Sequence, residues 1–242
     1  MIKDGERLDD LELSNLKILQ NPEKFCFGMD AVLLSGFATA KAGDRVLDLC
    51  TGTGIIPLLM SAKTPATDFT ALEIQEESAD MARRSVDLNG LSDKIKIVTG
   101  DVCNAVKQLG ASKYDVITVN PPYMTGGHGL KNPSEAKAVA RHEILCSLED
   151  VVREGAGCLK PGGRFYMVHR PFRLAEIIRT LSSHKLEVKK LRFVYPYVDR
   201  EPNMVLIEAV RGGNPGVTVD PPLIVWEKQD VYSRELREKY GY

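Results

Sequence analysis

Val46-Leu47-Asp48-Leu49-Cys50-Thr51-Gly52-Thr53-Gly54-Ile55 is the stretch whose reading decides the fold. An apolar strand carrying one acid breaks into a turn with two glycines, and the apolar run that follows opens a helix. Glycines suit such a turn because the backbone must bend tightly and let a ligand approach with no Cβ in the way. A dinucleotide-binding turn is built the same way. Its G-x-G-x-x-G spacing, however, would put the third glycine at Pro57, and an acid inside the strand, here Asp48, is not part of that fingerprint.

Outward from this turn, short β-rich apolar runs alternate with helical patterns, which is the signature of a parallel sheet flanked by helices. Strands are predicted over 45–49, 69–74, 95–99, 114–119, 164–169, 187–195 and 203–210. Helices are predicted over 55–63, 76–89, 103–109, 146–158 and 171–183. Gly90 reads as a helix stop, and Pro161-Gly162-Gly163 separates the fourth helix from its strand. Between the last two strands, Tyr195-Pro196-Tyr197 through Glu201-Pro202 reads as a loop. Strands joined without a crossover helix pair antiparallel. The expectation is therefore an α/β, Rossmann-like fold: a seven-stranded, mostly parallel sheet with an antiparallel last strand and helices on both faces. It spans residues 28–210, after an extension over 1–27 that is expected to lie over the active site and before a tail over 211–242 with no role assigned.

Three further motifs carry chemistry. Glu73, at the end of its strand and 25 residues beyond Asp48, can accept two hydrogen bonds from the vicinal hydroxyls of a ribose. Asp101, in Gly100-Asp101-Val102, is placed to accept from an adenine amino group, although Asp at a strand-to-helix junction is commonly only an N-cap. The decisive segment is Asp115-Val116-Ile117-Thr118-Val119-Asn120-Pro121-Pro122-Tyr123, a hydrophobic strand that stops at the carboxyl edge of the sheet, where open α/β folds bind ligands. Two prolines fix the backbone and remove two N–H donors, so carbonyls and the Asn120 amide oxygen are offered as rigid acceptors to an NH2 group. Tyr123 adds a ring on which a base or amide plane can stack.

In order and spacing, Asp48 to Gly54, Glu73 and Asn120-Pro121-Pro122-Tyr123 resemble the class I methyltransferases that act on amino groups. The resemblance implies S-adenosylmethionine as cofactor, held by Asp48, Thr51, Gly52, Gly54, Glu73, Asp101 and Asn120, with catalysis at Asn120, Pro121, Pro122 and Tyr123. Phe25-Cys26-Phe27-Gly28-Met29-Asp30-Ala31-Val32-Leu33-Leu34 and Ala140-Arg141-His142-Glu143 narrow it to the bacterial tRNA1(Val) (adenine-N6)-methyltransferase family. Two departures stand out, because that family's usual Gly-Thr-Asp is here Gly28-Met29-Asp30 and Arg141-His142-Glu143 only approximates its counterpart. The family modifies adenine 37 beside the anticodon, so tRNA is the implied partner. Protein glutamine N5-methylation stays open, although the 44 residues before the first motif are few for the separate helical domain of that group. Methylation of DNA adenine or ribosomal guanine also stays open. More distant alternatives are a nicotinamide-dependent oxidoreductase, which leaves Asn120 to Tyr123 without purpose, and an RNA-binding module without catalysis.

Composition is that of an ordinary globular protein. The 242 residues are 43% hydrophobic and 27% charged, enough for one substantial core. The amino terminus is acidic and polar, unlike a secretory signal, and the longest charge-free run is 15 residues, short of a membrane span. A cytoplasmic protein without membrane segments is expected. The five cysteines show no C-x-x-C pair, which reads as reduced, mostly buried thiols with no metal site. Net charge is −1, yet residues 160–200 hold ten Lys or Arg against three acids. Arg141, Arg170, Arg173, Lys189, Lys190 and Arg192 are the candidate phosphate contacts, in competition with an ordinary solvated face.

Overall fold

The first glycine turn grows out of β3 (Arg45–Leu49) and leads into α2 (Ile55–Lys63). The chain then alternates through β4 (Asp68–Glu73), α3 (Glu76–Leu88), β5 (Ile95–Thr99), α4 (Ala105–Leu109) and β6 (Tyr114–Val119). Beyond these come α5 (Leu148–Cys158), β7 (Leu159–His169), α6 (Leu174–Ser183), β8 (Leu186–Tyr195) and β9 (Met204–Arg211). This computed structural model describes residues 2–24, 26–121 and 146–240. Pro122, Tyr123 and Arg141 lie outside the described residues.

The spatial order β8-β9-β7-β6-β3-β4-β5 follows from right-handed crossovers that run one way from β3 and then restart on its other side at β6. β3 pairs in parallel with both β4 and β6, and β9 runs antiparallel between β7 and β8. Six parallel strands with an antiparallel seventh are the class I methyltransferase arrangement that the resemblance implied. The reversal of strand order between β3 and β6 makes a topological switch point, and a crevice opens outside the carboxyl ends of such strands.

Burial follows the pleat. Val46, Val116, Tyr166 and Val168 pack with the apolar α1 (Met29–Phe37) and α2 on one face, whereas Leu47, Ile117, Phe165 and Met167 pack with α4, α5 and α6 on the other. Phe165 and Tyr166, read as core from the strand pattern, are fully buried. α5 is started by a capping box in which Ser147 and Asp150 satisfy each other's backbone N–H groups.

The two ends of the chain are ordered against this core. β1 (Arg7–Asp10) and β2 (Lys17–Gln20) form a hairpin that docks on α3. Leu19 N donates to Ser85 Oγ, Lys17 N donates to Asn89 Oδ1, and Arg84 forks onto Glu6 at 2.6 and 2.8 Å. The extension expected over the active site is thus anchored on a flanking helix. After β9, β10 (Thr218–Val219) and β11 (Leu223–Ile224) add in parallel to the outer edge of β8. The short hairpin of β12 (Trp226–Lys228) and β13 (Val231–Tyr232) stacks Trp226 on Tyr232, and α7 (Arg234–Tyr240) buries Leu236. None of the five cysteines forms a disulfide, and only Cys158 is fully buried; Cys26, Cys50, Cys103 and Cys146 are half-buried, a correction to the expectation of mostly buried thiols. Among the described residues no helix is long and apolar enough to cross a membrane.

Candidate functional site

The turn after β3 takes its shape from left-handed backbone at Cys50, Gly52 and Gly54, with φ of 58°, 57° and 85°. Thr51 N donates to Leu72 O at 3.0 Å, which fastens the turn to β4. Glu73, at the end of that strand and buried, grips the turn more directly. Its Oε2 accepts from Gly52 N at 2.8 Å and its Oε1 from Gln75 N at 2.9 Å. A carboxylate has about four lone-pair positions, so each oxygen keeps capacity for a hydroxyl donor. Among the described residues, a Cβ built on Gly52 meets nothing within 4 Å, so no described side chain fills the space over the turn.

Asp48 sits beneath this turn and is 1% exposed. Thr118 Oγ1, on the neighbouring β6, donates to Asp48 Oδ1 at 2.6 Å. Among the described residues, Asp48 Oδ2 and Thr51 Oγ1 are buried without a hydrogen-bond partner. The Thr51 hydroxyl is near enough to favour the ionised carboxylate, though it lacks the geometry of a hydrogen bond. Burial dominates and pushes the Asp48 carboxyl up to about 7, opposed by Thr118 and Thr51 and assisted by the negative charge of Glu73. Two orphaned acceptors at one turn demand a donor, and an ammonium group would both satisfy Oδ2 and restore the charge of the carboxylate.

Across the switch point, Leu49 on β3 is level with Val119 on β6, so half-buried Asn120 and buried Pro121 leave the sheet beside the glycine turn. A cavity of about 10 Å3, the size of one water, lies here, lined by Pro121, Cys146, Ser147, Leu148, Val151, His169 and Arg173. His169 ends β7. Burial, followed by the charge of Arg173, depresses its imidazole to about 3, and Nδ1 accepts from Arg170 N at 2.8 Å. The neutral ring therefore carries its proton on Nε2. A larger hollow of about 380 Å3, lined by Asp115, Lys160 and Arg164 among others, sits at the start of the strands, away from the crevice.

The structure brings Asp48, Thr51, Gly52, Gly54, Glu73, Asn120 and Pro121 to one edge. Asp101 reaches the same edge at the end of β5, where its side chain accepts from Cys103 N at 2.9 Å and caps a short 3-10 turn. The basic residues are dispersed. Arg170 donates to Asn203 O and Arg173 forks onto Glu176 beside the crevice, whereas Lys189 donates to Asn214 O and Gly216 O in the tail. Lys190 lies 3.9 Å from Asp220. Arg192 is buried, donates to Pro221 O and pairs with Glu235. Thr118 and His169 escaped the sequence reading. The available signal was a hydroxyl inside the apolar run Val116-Ile117-Thr118-Val119 and an imidazole closing Phe165-Tyr166-Met167-Val168-His169.

Known proteins share this fold. Residues 28–193 match the methyltransferase small domain. The chain belongs to this family. Among its relatives is a tRNA1(Val) (adenine(37)-N6)-methyltransferase of Parabacteroides distasonis, 30% identical over 182 residues and covering 75% of each chain. Another protein of that name, from Porphyromonas gingivalis, is 28% identical over 75% of this chain and 72% of its own. Among solved structures, one described as a predicted O-methyltransferase from Agrobacterium tumefaciens superposes with a TM-score of 0.71 at 23% identity, covering 88% of this chain and 96% of that one. TrmN from Thermus thermophilus gives a TM-score of 0.53 at 24% identity over 75% of this chain and 48% of its own. These structural likenesses speak for the fold of this methyltransferase small domain protein. Among the described residues no group of three or more His, Cys, Asp or Glu could hold a metal.

Proposed function

We propose that this methyltransferase transfers a methyl group from S-adenosylmethionine to N6 of an adenine in tRNA, at a position of the adenine 37 type. The observation that carries the reading is the meeting, at one switch point, of the orphaned Asp48 Oδ2 and Thr51 Oγ1 with Asn120 on the adjacent strand end. The names of the relatives support the choice of substrate.

The residues present fit the cofactor. Asp48 Oδ2 and Thr51 Oγ1 would take its amino-acid ammonium group, the open face of Gly52 its methionine portion, Glu73 its ribose hydroxyls and Asp101 its adenine amino group. When bound, S-adenosylmethionine supplies a methyl group on a sulfonium, an activated leaving group that needs no metal. The chain's own work is positioning. An exocyclic aromatic amine is a poor nucleophile because its lone pair is delocalised. Hydrogen bonds from its two protons to Asn120 Oδ1 and the Pro121 carbonyl favour a pyramidal nitrogen whose lone pair is aimed for in-line attack. The roles of Pro122 and Tyr123, which lie outside the described residues, come from the resemblance alone: rigidity of the loop and stacking on the base. The product ammonium is acidic enough to lose its proton to water. An adenine in a tRNA loop must be splayed out to reach Asn120, with phosphates met by Arg141, Arg170 and Arg173. Lys189, Lys190 and Arg192 are left to hold the tail.

The test is incubation with tritiated S-adenosylmethionine and separate pools of tRNA, rRNA, DNA and protein from a strain lacking the gene, beside Asn120→Ala. Label appearing as N6-methyladenine in tRNA and lost in the variant supports the proposal. Label in another pool discards the substrate, and no transfer with no cofactor binding discards the chemistry.

A further inference from the structure

We infer that the exposed ring of Phe172 is a stacking face for a nucleotide next to the target base, a contact that rests on the RNA reading above. β7 carries the chain to the carboxyl edge and ends at His169, and a single 3-10 turn, Pro171–Arg173, follows. Phe172 is 70% exposed on that turn, so most of its apolar area stays in water although the fold has ample core. Its base is stiff. Pro171 fixes one dihedral at the first position of the turn, and Arg173 N donates to Arg170 O at 3.2 Å. On either side, Arg170 Nη1 donates to Asn203 O at 2.9 Å, and the Arg173 guanidinium forks onto Glu176 at 2.7 and 2.8 Å. A ring carried on so fixed a turn costs little backbone ordering when a ligand covers it.

Its location and surroundings name the ligand. His169 and Arg173, three residues before and one after, wall the cavity that Pro121 closes, so the turn that carries the ring stands beside the crevice proposed to receive the amine. The two flanking arginines put two guanidinium groups beside the ring against the carboxylate of Glu176, a local excess of positive charge that suits a polyanion. Splaying one base out of an RNA loop exposes a face of its neighbour, and an aromatic side chain accepts any base there, because every base has a π-face.

The experiment compares wild type, Phe172→Ala and Phe172→Trp on a tRNA transcript, with cofactor affinity as the check on folding. A second transcript carries 2-aminopurine beside the target adenine. Phe172→Ala is expected to raise KM for RNA by about 5- to 100-fold with kcat and cofactor affinity near wild type. Phe172→Trp should keep a low KM, and the 2-aminopurine quenching seen on binding to wild type should vanish in Phe172→Ala. Wild-type KM and quenching in Phe172→Ala overturn the inference while the RNA reading stands, as does an equal loss in both variants. A wild-type enzyme that binds cofactor but methylates only protein or DNA overturns the RNA reading and this contact together.

Discussion

Replacing Asp48 by asparagine isolates the cost of keeping a carboxylate beneath the glycine turn. Its folded pKa is about 7 against an ordinary 3.8, and each unit corresponds to about 1.4 kcal/mol, so ionisation inside the fold costs about 4 kcal/mol. The sign follows from proton binding. Between these two pH values the folded chain holds a proton that the unfolded chain has lost, so stability falls as pH rises from about 4 to about 7 and levels off above. Asparagine keeps the shape and still accepts from Thr118, but it cannot ionise. Urea denaturation of the ligand-free protein from pH 4 to 8 should therefore give a wild-type minus Asp48→Asn stability difference that moves against wild type by about 4 kcal/mol across the interval. Taking the difference removes every other titrating group. Binding of S-adenosylmethionine at pH 8 should move the other way and weaken at least about tenfold in Asp48→Asn, the loss of one charged hydrogen bond. A flat stability difference across pH 4 to 8 would refute the assignment of a raised pKa, and unchanged cofactor affinity would refute the ammonium contact.

Gly54 has φ of 85°, and a Cβ there would lie 3.2 Å from Ala82 Cβ; Gly54→Ala should cost about 1–2 kcal/mol by chemical denaturation and weaken cofactor binding. His169 should stay neutral down to about pH 4, because its pKa is depressed to about 3. An imidazole NMR signal flat from pH 7 to 4 checks this, and as pH falls from the ordinary His range toward 3 the protein should lose stability that His169→Gln retains. Arg192→Ala removes the partner of Glu235, which is itself 43% exposed on its side chain, so a loss of about 1–3 kcal/mol is expected, below the range for fully buried pairs. Limited proteolysis should then cut first between 212 and 230.

How far the fold was legible depended on periodicity. The seven main strands stood out because apolar residues crowd β3, β4, β6 and β7, and four of the predicted helices carry a clear polar face. β7 starts at Leu159, ahead of the predicted 164, because Pro161-Gly162-Gly163 is carried inside the strand beside a register shift against β6. α1 was hidden because it buries Ala31 through Ser35 in succession and so lacks the alternation that marks a surface helix. β1 and β2 span four residues each, and their pairing depends on α3, which no local pattern reveals. At the site, Asp48, Gly52, Gly54, Glu73 and Asn120 were readable from spacing. Thr118 and His169 were not, because their roles come from neighbours on other strands: Asp48 70 residues away for Thr118, and Pro121 across the cavity for His169.

The parallel addition of β10 and β11 to β8 bears on how the molecule stays apart from its own copies. β8 is a ten-residue strand in which Leu, Val, Phe and Tyr alternate with Lys, Arg and Glu, and an uncovered strand of that length offers a ladder of unmet N–H and C=O groups to any similar strand. The chain downstream of β9 blocks it in two short pieces, and Arg192, in the middle of β8, latches the segment through Pro221 and Glu235. These pieces are made after the strand they shield. A growing chain therefore completes β8 before the segment that covers its edge, and an edge left bare at that stage is where copies would pair first.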